Sequence, residues 1–296
     1  MPELPEVESL RVFLAERCLG KKVERVELHS LSALKTFDPP LDALVGLPMS
    51  AVERRGKFLC AGFGRESSAP PADDLVWLAL HLSRSGWVRW REDIRTLKPG
   101  PKKGPLAMRA RLDDGSGFDV TEAAKEKRLS IHVVTDLMEV PGIAKLGPDP
   151  LDERFDVDQL RTALASAGGQ IKSALTDQSA IAGVGNAYSD EILHAAKLSP
   201  FKNATKLTDD EVDLLHRSLR EIMTDALERS AGMPAADLKS EKKSGMKVHG
   251  RSGEPCPVCG DTVRSVNYSS SNFQYCPTCQ TGGKVLADRR LSKLLK

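Results

Sequence analysis

At 296 residues, with 40% hydrophobic and 28% charged side chains, the chain has an ordinary folded composition and the length for two domains with real cores. No apolar run reaches membrane-spanning length, and the N-terminus lacks the basic-then-apolar order of a secretion signal, so a cytoplasmic protein without membrane attachment is expected. The net charge of +2 announces no polyanion partner, but residues 239–296 hold eleven Lys/Arg against four Asp/Glu, a local excess of +7 that suits one.

The chain opens Met1-Pro2-Glu3-Leu4-Pro5-Glu6. A small second residue usually allows Met1 to be removed, which would leave a proline with a secondary amine. An α-amine titrates near ~8, against ~10.4 for lysine, so a useful fraction is neutral and nucleophilic at neutral pH. Such an amine attacking an aldehyde or a sugar C1′ gives an iminium, an electron sink that eases elimination at the neighbouring carbon. Glu3 is close enough in sequence to protonate a leaving oxygen or shuttle protons. Pro5 and Gly20 bracket a helix read from Val7, Leu10, Leu14 and Cys18, with Glu6 on its first turn. Acidic residues there also simply suit the helix dipole.

Residues 22–150 read as short strands: Val23–Leu28, Ser50–Phe63, Leu75–Leu82, Trp87–Trp90, Ala107–Leu112, Gly117–Val120 and Leu129–Val134. Asp113 to Gly117 forms a hairpin turn, and segments 66–74 and 97–105 read as loops. An antiparallel sandwich or flattened barrel with the N-terminal helix against it is expected. Arg54-Arg55-Gly56-Lys57-Phe58 sets three cations between strand-like stretches, where they can grip phosphates or guard a solvated edge. His81 to Gly86 follows an apolar strand as a turn, and its histidine reads as structural.

Leu146-Gly147-Pro148-Asp149-Pro150 marks a domain boundary, after which the apolar period becomes helical: Val157–Ala165, Ile171–Thr176, Ala187–Lys197 and Asp209–Ser230. Between the second and third helices, Gly183-Val184-Gly185-Asn186 allows a tight turn with Asn186 as N-cap, a place where helix amides can meet phosphate. Cys256-x2-Cys259 and Cys276-x2-Cys279 are two knuckles whose spacing predicts one structural zinc held by four thiolates between two β-hairpins. Cys18 and Cys60 read as buried thiols.

Taken together, these stretches resemble the formamidopyrimidine-DNA glycosylase and endonuclease VIII family. The MPELPEVE start, RRGKF, HLSRSG, LGPDPL, IKSALTDQSAIAGVGNAYSDEIL and CPVCG…YCPTCQ follow one another in the family's order. The resemblance implies an α+β multidomain protein. Residues 1–145 would form a catalytic β-sandwich with a flanking helix, 151–235 a helix-two-turns-helix domain, 240–285 a four-cysteine zinc finger and 286–296 a basic tail. It implies a bifunctional enzyme that excises damaged bases and cuts the strand by β,δ-elimination. Pro2 would be the nucleophile, Glu3 the general acid/base, Glu6 a supporting carboxylate and Lys57 a contact to the phosphate beside the lesion. Arg54, Arg55, Arg84, Lys127, Arg128, Lys172, Asn186 and Arg264 are the remaining expected DNA contacts, and the partner would be damaged double- or single-stranded DNA bound by a monomer at the nucleoid. A catalytically silent damage-binding protein and a generic zinc-ribbon module are the alternatives; the second leaves the N-terminal motif unexplained.

The chain also departs from the family pattern. A Met expected in an HLGMSG turn is replaced by Arg84, and Glu126-Lys127-Arg128-Leu129-Ser130 fits DPRRFG only loosely, with Leu129 where a Phe is expected. Ser269-Ser270-Ser271-Asn272 lacks the Arg of a GQRST-like run. A weaker wedge and clamp predict a preference for abasic sites or loosened DNA over 8-oxoguanine in intact duplex.

Overall fold

A computed structural model describes residues 1–64, 75–94, 104–268 and 271–287. Most of the loops expected at 66–74 and 97–105, together with Ser269-Ser270 and the tail from 288 onward, lie outside the described residues. The chain divides into two units, Met1–Lys145 with Ser230–Leu238, and Leu146–Arg229 with Lys239–Lys296.

The first unit begins with α1 (Leu4–Cys18), whose Val7, Leu10, Leu14 and Cys18 recur at helical spacing and are all buried. Two four-stranded antiparallel sheets follow. One has the order β1 (Val23–Leu28), β6 (Leu106–Leu112), β7 (Gly117–Glu122), β5 (Gly86–Arg91). The other has the order β2 (Met49–Arg55), β3 (Phe58–Phe63), β4 (Val76–His81), β8 (Ser130–Val134). Their apolar faces and the buried stripe of α1 close on a single core that includes Leu14, Leu59, Leu78, Val88, Phe118 and Ile131. The stretch expected as one strand from Ser50 to Phe63 is instead two, because Arg55 pairs with Phe58 across a Gly56-Lys57 turn with Gly56 at φ +54°. Residues 230–238 also belong here: Ala235 and Leu238 join the core, and the Trp87 indole N–H donates to the Ala235 carbonyl at 2.9 Å. A four-residue helix, α2 (Pro141–Ala144), ends the unit's first stretch.

In the second unit α3 (Val157–Ala167), α4 (Ile171–Thr176), α5 (Asn186–Ala195) and α6 (Asp209–Ser230) pack around Leu160, Leu175, Ile181, Tyr188, Ile192 and Leu219. A short helix, α7 (Leu238–Gly245), leads to the cysteine-rich end. There β9 (Arg264–Tyr268) and β10 (Ser271–Tyr275) form one hairpin, followed by α8 (Pro277–Thr281). No helix among the described residues is long and apolar enough to cross a membrane.

The turn before β5 leaves no room for a side chain at Gly86. A Cβ there would lie 2.2 Å from the Leu82 carbonyl oxygen, the same oxygen that accepts the Gly86 N–H at 2.8 Å. Gly86→Ala is expected to lower the unfolding free energy by roughly 1–3 kcal/mol, read as a fall in the urea midpoint at unchanged slope. An unmoved midpoint would contradict the closed turn.

Candidate active site and metal centre

The first unit gathers the N-terminal motif. Glu3 is the N-cap of α1 and forms a capping box with Glu6, whose carboxylate accepts the Glu3 N–H at 2.8 Å. Both carboxylates are buried, Glu3 at 1% and Glu6 at 4% exposure, and Pro2 beside them is buried too. Burying two carboxylates in one helical turn is costly unless their oxygens are bonded, which is one reason for the box. Helix α1 packs on β2 and β3, and Arg54 fixes that packing. Its Nε donates to Glu8 of α1 at 3.0 Å and its Nη1 to the Gly56 carbonyl at 3.3 Å. Arg54 thus ties the helix to the turn that carries Lys57 from inside the protein. Lys57 itself is 8% exposed.

His81, read from sequence as merely structural, lies within the electrostatic reach of Lys57. It stands opposite Phe58 across β3 and β4, with the two rings 4.8 Å apart. Burial first, then the positive fields of Lys57 and of His132, push its pKa down to about 4, so the imidazole is neutral at neutral pH. The sequence carried no signal for this placement, because it rests on the pairing register of β3 with β4.

The other first-unit cations expected at the DNA, Arg55, Arg84, Lys127 and Arg128, are exposed. Arg55 pairs with Glu53 at 2.7 Å. Arg84 is exposed in the turn after Leu82. In the 123–129 loop the buried Glu122 carboxylate accepts the N–H groups of Arg128 and Leu129, at 2.8 and 3.1 Å. Lys127 bonds to the Glu122 carbonyl, and Arg128 is exposed beside Glu126 at 3.0 Å. Leu129, expected where the family has a Phe, is in the core at 2% exposure and does not project outward.

In the second unit the glycine turn is built by a residue that sequence reading missed. The Gln178 amide accepts the Gly183 N–H at 3.0 Å and donates to the carbonyls of Val184 and Thr176 at 2.8 and 2.9 Å. The N-cap of α5 is Gly185, with extended φ, and not Asn186, which is the first helical residue. The Asn186 amide donates to the Asn272 carbonyl of β10 at 2.7 Å. Lys172, expected at the DNA, is buried in the protein. All three hydrogens of its buried ammonium are engaged, by Asp190 at 2.6 Å, Ser189 at 2.7 Å and the Asn186 carbonyl at 2.9 Å. The second Asp190 oxygen is 2.6 Å from His249 Nδ1 and accepts the Gln274 N–H at 3.1 Å. Glu191 accepts the N–H groups of Lys247, Val248 and His249, and burial raises its pKa. Polar residues at 190, 191 and 194, interleaved with the apolar face of α5, were the signal for this buried network.

The four knuckle cysteines converge, with their sulfurs all within 4.8 Å of one another and Cys256 3.9 Å from Cys279. A zinc ion ~2.3 Å from each of four sulfurs needs separations of that size, and an all-thiolate tetrahedron is the donor set of a structural site. The site does not lie between two β-hairpins. Cys256 and Cys259 occupy a turn closed by the Pro255–Thr262 bridge, and Cys276 caps α8, which holds Cys279. Asp261 joins the two halves, its carboxylate accepting the Thr278 hydroxyl at 2.8 Å and its amide at 3.2 Å. Arg264 is exposed at the start of β9. Burial pushes the thiols of Cys18 and Cys60 up to about 12, so they remain protonated.

The profile of the formamidopyrimidine-DNA glycosylase N-terminal domain matches residues 1–128, that of the H2TH domain matches 146–236, and that of the zinc finger found in FPG and IleRS matches 253–282. The formamidopyrimidine-DNA glycosylase of Symbiobacterium thermophilum is 34% identical over 302 residues, covering 98% of this chain and 93% of the relative. An uncharacterized formamidopyrimidine-DNA glycosylase-like protein of Mycobacterium tuberculosis is 58% identical over 151 residues, 51% of this chain and 94% of its own length. Among solved structures, MutM (Fpg) of Thermus thermophilus superposes with TM-score 0.77 at 30% identity, covering 96% of this chain and all of that one. Lactococcus lactis Fpg in complex with abasic-site DNA gives 0.80 at 26%, covering 94% and 99%. The chain belongs to the formamidopyrimidine-DNA glycosylase family.

The depressed pKa of His81 has a consequence for stability. An unfolded histidine takes its proton near ~6.5, the folded one near 4. Between those values the unfolded chain holds more protons, so stability falls as pH drops through that window. His81→Gln is expected to lose about 2 kcal/mol less stability than the parent between pH 7 and pH 4.5. Urea titrations at the two pH values measure this, and equal losses would remove His81 from the account.

Proposed function

We propose that the chain is a bifunctional DNA glycosylase and abasic-site lyase, acting as a monomer on damaged double- or single-stranded DNA in the cytoplasm, at the nucleoid. The observation that carries the reading is the pair of buried carboxylates, Glu3 and Glu6, set in one helical turn beside Pro2. A helix start with no other task would leave its acids in water, where they serve the dipole as well. The Lactococcus lactis relative, solved with abasic-site DNA and with Fapy-dG DNA, supports the substrate class.

In this reading Met1 is removed and the Pro2 amine attacks C1′ of a flipped nucleotide, expelling the damaged base. The sugar ring opens as its oxygen takes a proton from Glu3, leaving an iminium between Pro2 and C1′. Loss of the C2′ proton into that electron sink expels the 3′ phosphate, and a second elimination expels the 5′ phosphate. Glu6 holds the turn that positions Glu3. Lys57, Arg55, Arg128, Asn186 and Arg264 contact the backbone, whereas Arg54 and Lys172 act from within the protein. The zinc is structural, since four thiolates fill its tetrahedron.

Borohydride added during reaction with abasic DNA should trap a protein–DNA adduct whose peptide map places the link at Pro2. A link at a lysine would sink the assignment, and no adduct at all would favour a silent damage binder. For Lys57→Ala, the salt dependence of DNA binding should become shallower by about one unit, equally for all sequences. An unchanged slope would contradict the phosphate contact.

The lesion preference follows from what is available to fill a vacated base position. Among the described residues the 83–85 turn and the 123–128 loop present Ser, Arg, Ala, Lys and Glu, and Leu129 is committed to the core. An apolar wedge stacks between bases with little desolvation, whereas a guanidinium needs an acceptor. Single-turnover rates on matched duplexes should therefore show an abasic site cut faster than 8-oxoguanine opposite cytosine. Equal rates would overturn the preference.

A further inference from the structure

Helix α5 carries a buried polar stripe, Asp190, Glu191 and His194, each at or below 4% exposure. The first two are accounted for by backbone amides of β10 and of residues 247–249. The third reaches the metal centre: His194 Nε2 lies 3.3 Å from Cys256 Sγ. A zinc-bound sulfur is a thiolate and has no hydrogen to give, so in this contact the imidazole N–H is the donor. Residue 194 lies outside the 253–282 segment that matches the finger profile, and no cysteine spacing points to it. A second tie runs alongside. The Gln280 side chain accepts the Cys276 N–H at 2.9 Å and donates to the Leu198 carbonyl just beyond α5, also at 2.9 Å.

We propose that His194 is a positioning residue of the zinc centre, its Nε2–H donating to the Cys256 thiolate and fixing the first knuckle to the end of α5. Four thiolates around one Zn²⁺ leave the centre with two excess negative charges, in a site where Cys256 and Cys276 are buried. A hydrogen bond into one sulfur draws charge off it. It lowers that sulfur's reactivity and stiffens one edge of the tetrahedron, as outer partners of metal ligands do. The buried imidazole thereby gains a partner it would otherwise lack on that side.

The test uses the full zinc-loaded chain with His194→Phe, which keeps a ring but no donor, and His194→Gln, whose amide can reach the same place. Zinc transfer to a chromophoric chelator should be about 10-fold faster, or more, in the Phe variant and near the parent rate in the Gln variant. Timed alkylation mapped by mass spectrometry should find Cys256 the thiol that gains most reactivity. In cobalt-substituted protein the sulfur-to-cobalt band should move to lower energy for Phe and stay in place for Gln. Parent-like behaviour of both variants overturns the proposal, and equal acceleration in both overturns it as well, because that outcome reports packing alone. Should the Phe variant not fold, cadmium-113-substituted parent protein decides. A proton–cadmium correlation from the His194 Nε2–H through the Cys256 sulfur sustains the hydrogen bond, and its absence refutes it.

Discussion

The second unit depends on one buried carboxylate. Asp190, with 1% of its surface exposed, binds the Lys172 ammonium through one oxygen and His249 and the Gln274 amide through the other. Those partners come from α4, from the segment ahead of the finger and from β10, so one side chain joins three separate stretches of chain. A buried charge is tolerated only when its bonds are complete, and removing one partner of such a pair typically costs ~3–5 kcal/mol. The network is therefore all-or-none. With Lys172 engaged, the glycine turn, the start of α5 and the finger hairpin share a fixed frame.

The first unit solves a comparable problem by different means. Glu3 and Glu6 are held at the mouth of α1 by each other's backbone, and Arg54 locks the helix to the β2–β3 turn. The start of α1 and the turn that carries Lys57 are thereby held through one side chain. Preorganisation of this kind is what a covalent mechanism asks of its scaffold, since misplacement of the attacking group by an ångström is costly.

Much of this was legible in the sequence because it rests on period and spacing. The stripe of Val7, Leu10, Leu14 and Cys18 gave α1, short runs rich in β-formers gave most strands of the sandwich, and two C-x2-C pairs gave the zinc ligands. What escaped were choices made by tertiary partners. Nothing local says that Arg54 finds Glu8 while Arg55 stays at the surface, or that Lys172 turns inward, because both are cations on partly polar elements. Asn186 reads as a cap by composition, yet Gly185 is the residue with extended backbone, which frees the Asn amide for β10. The His81 environment also required the pairing register of β3 with β4, which sequence does not reveal.

The return of residues 230–238 to the first unit makes the two units interlaced along the chain, which crosses between them at 145, 229 and 238. A fragment ending at Lys145 would be an unfinished fold, not a free-standing domain. Its Trp87 indole would lose the Ala235 carbonyl, and the core would be open where Ala235 and Leu238 seal it. A buried donor left without its acceptor costs about 1–3 kcal/mol, before the exposed apolar surface is added. The nine-residue segment thus closes the first unit's core from a position late in the chain.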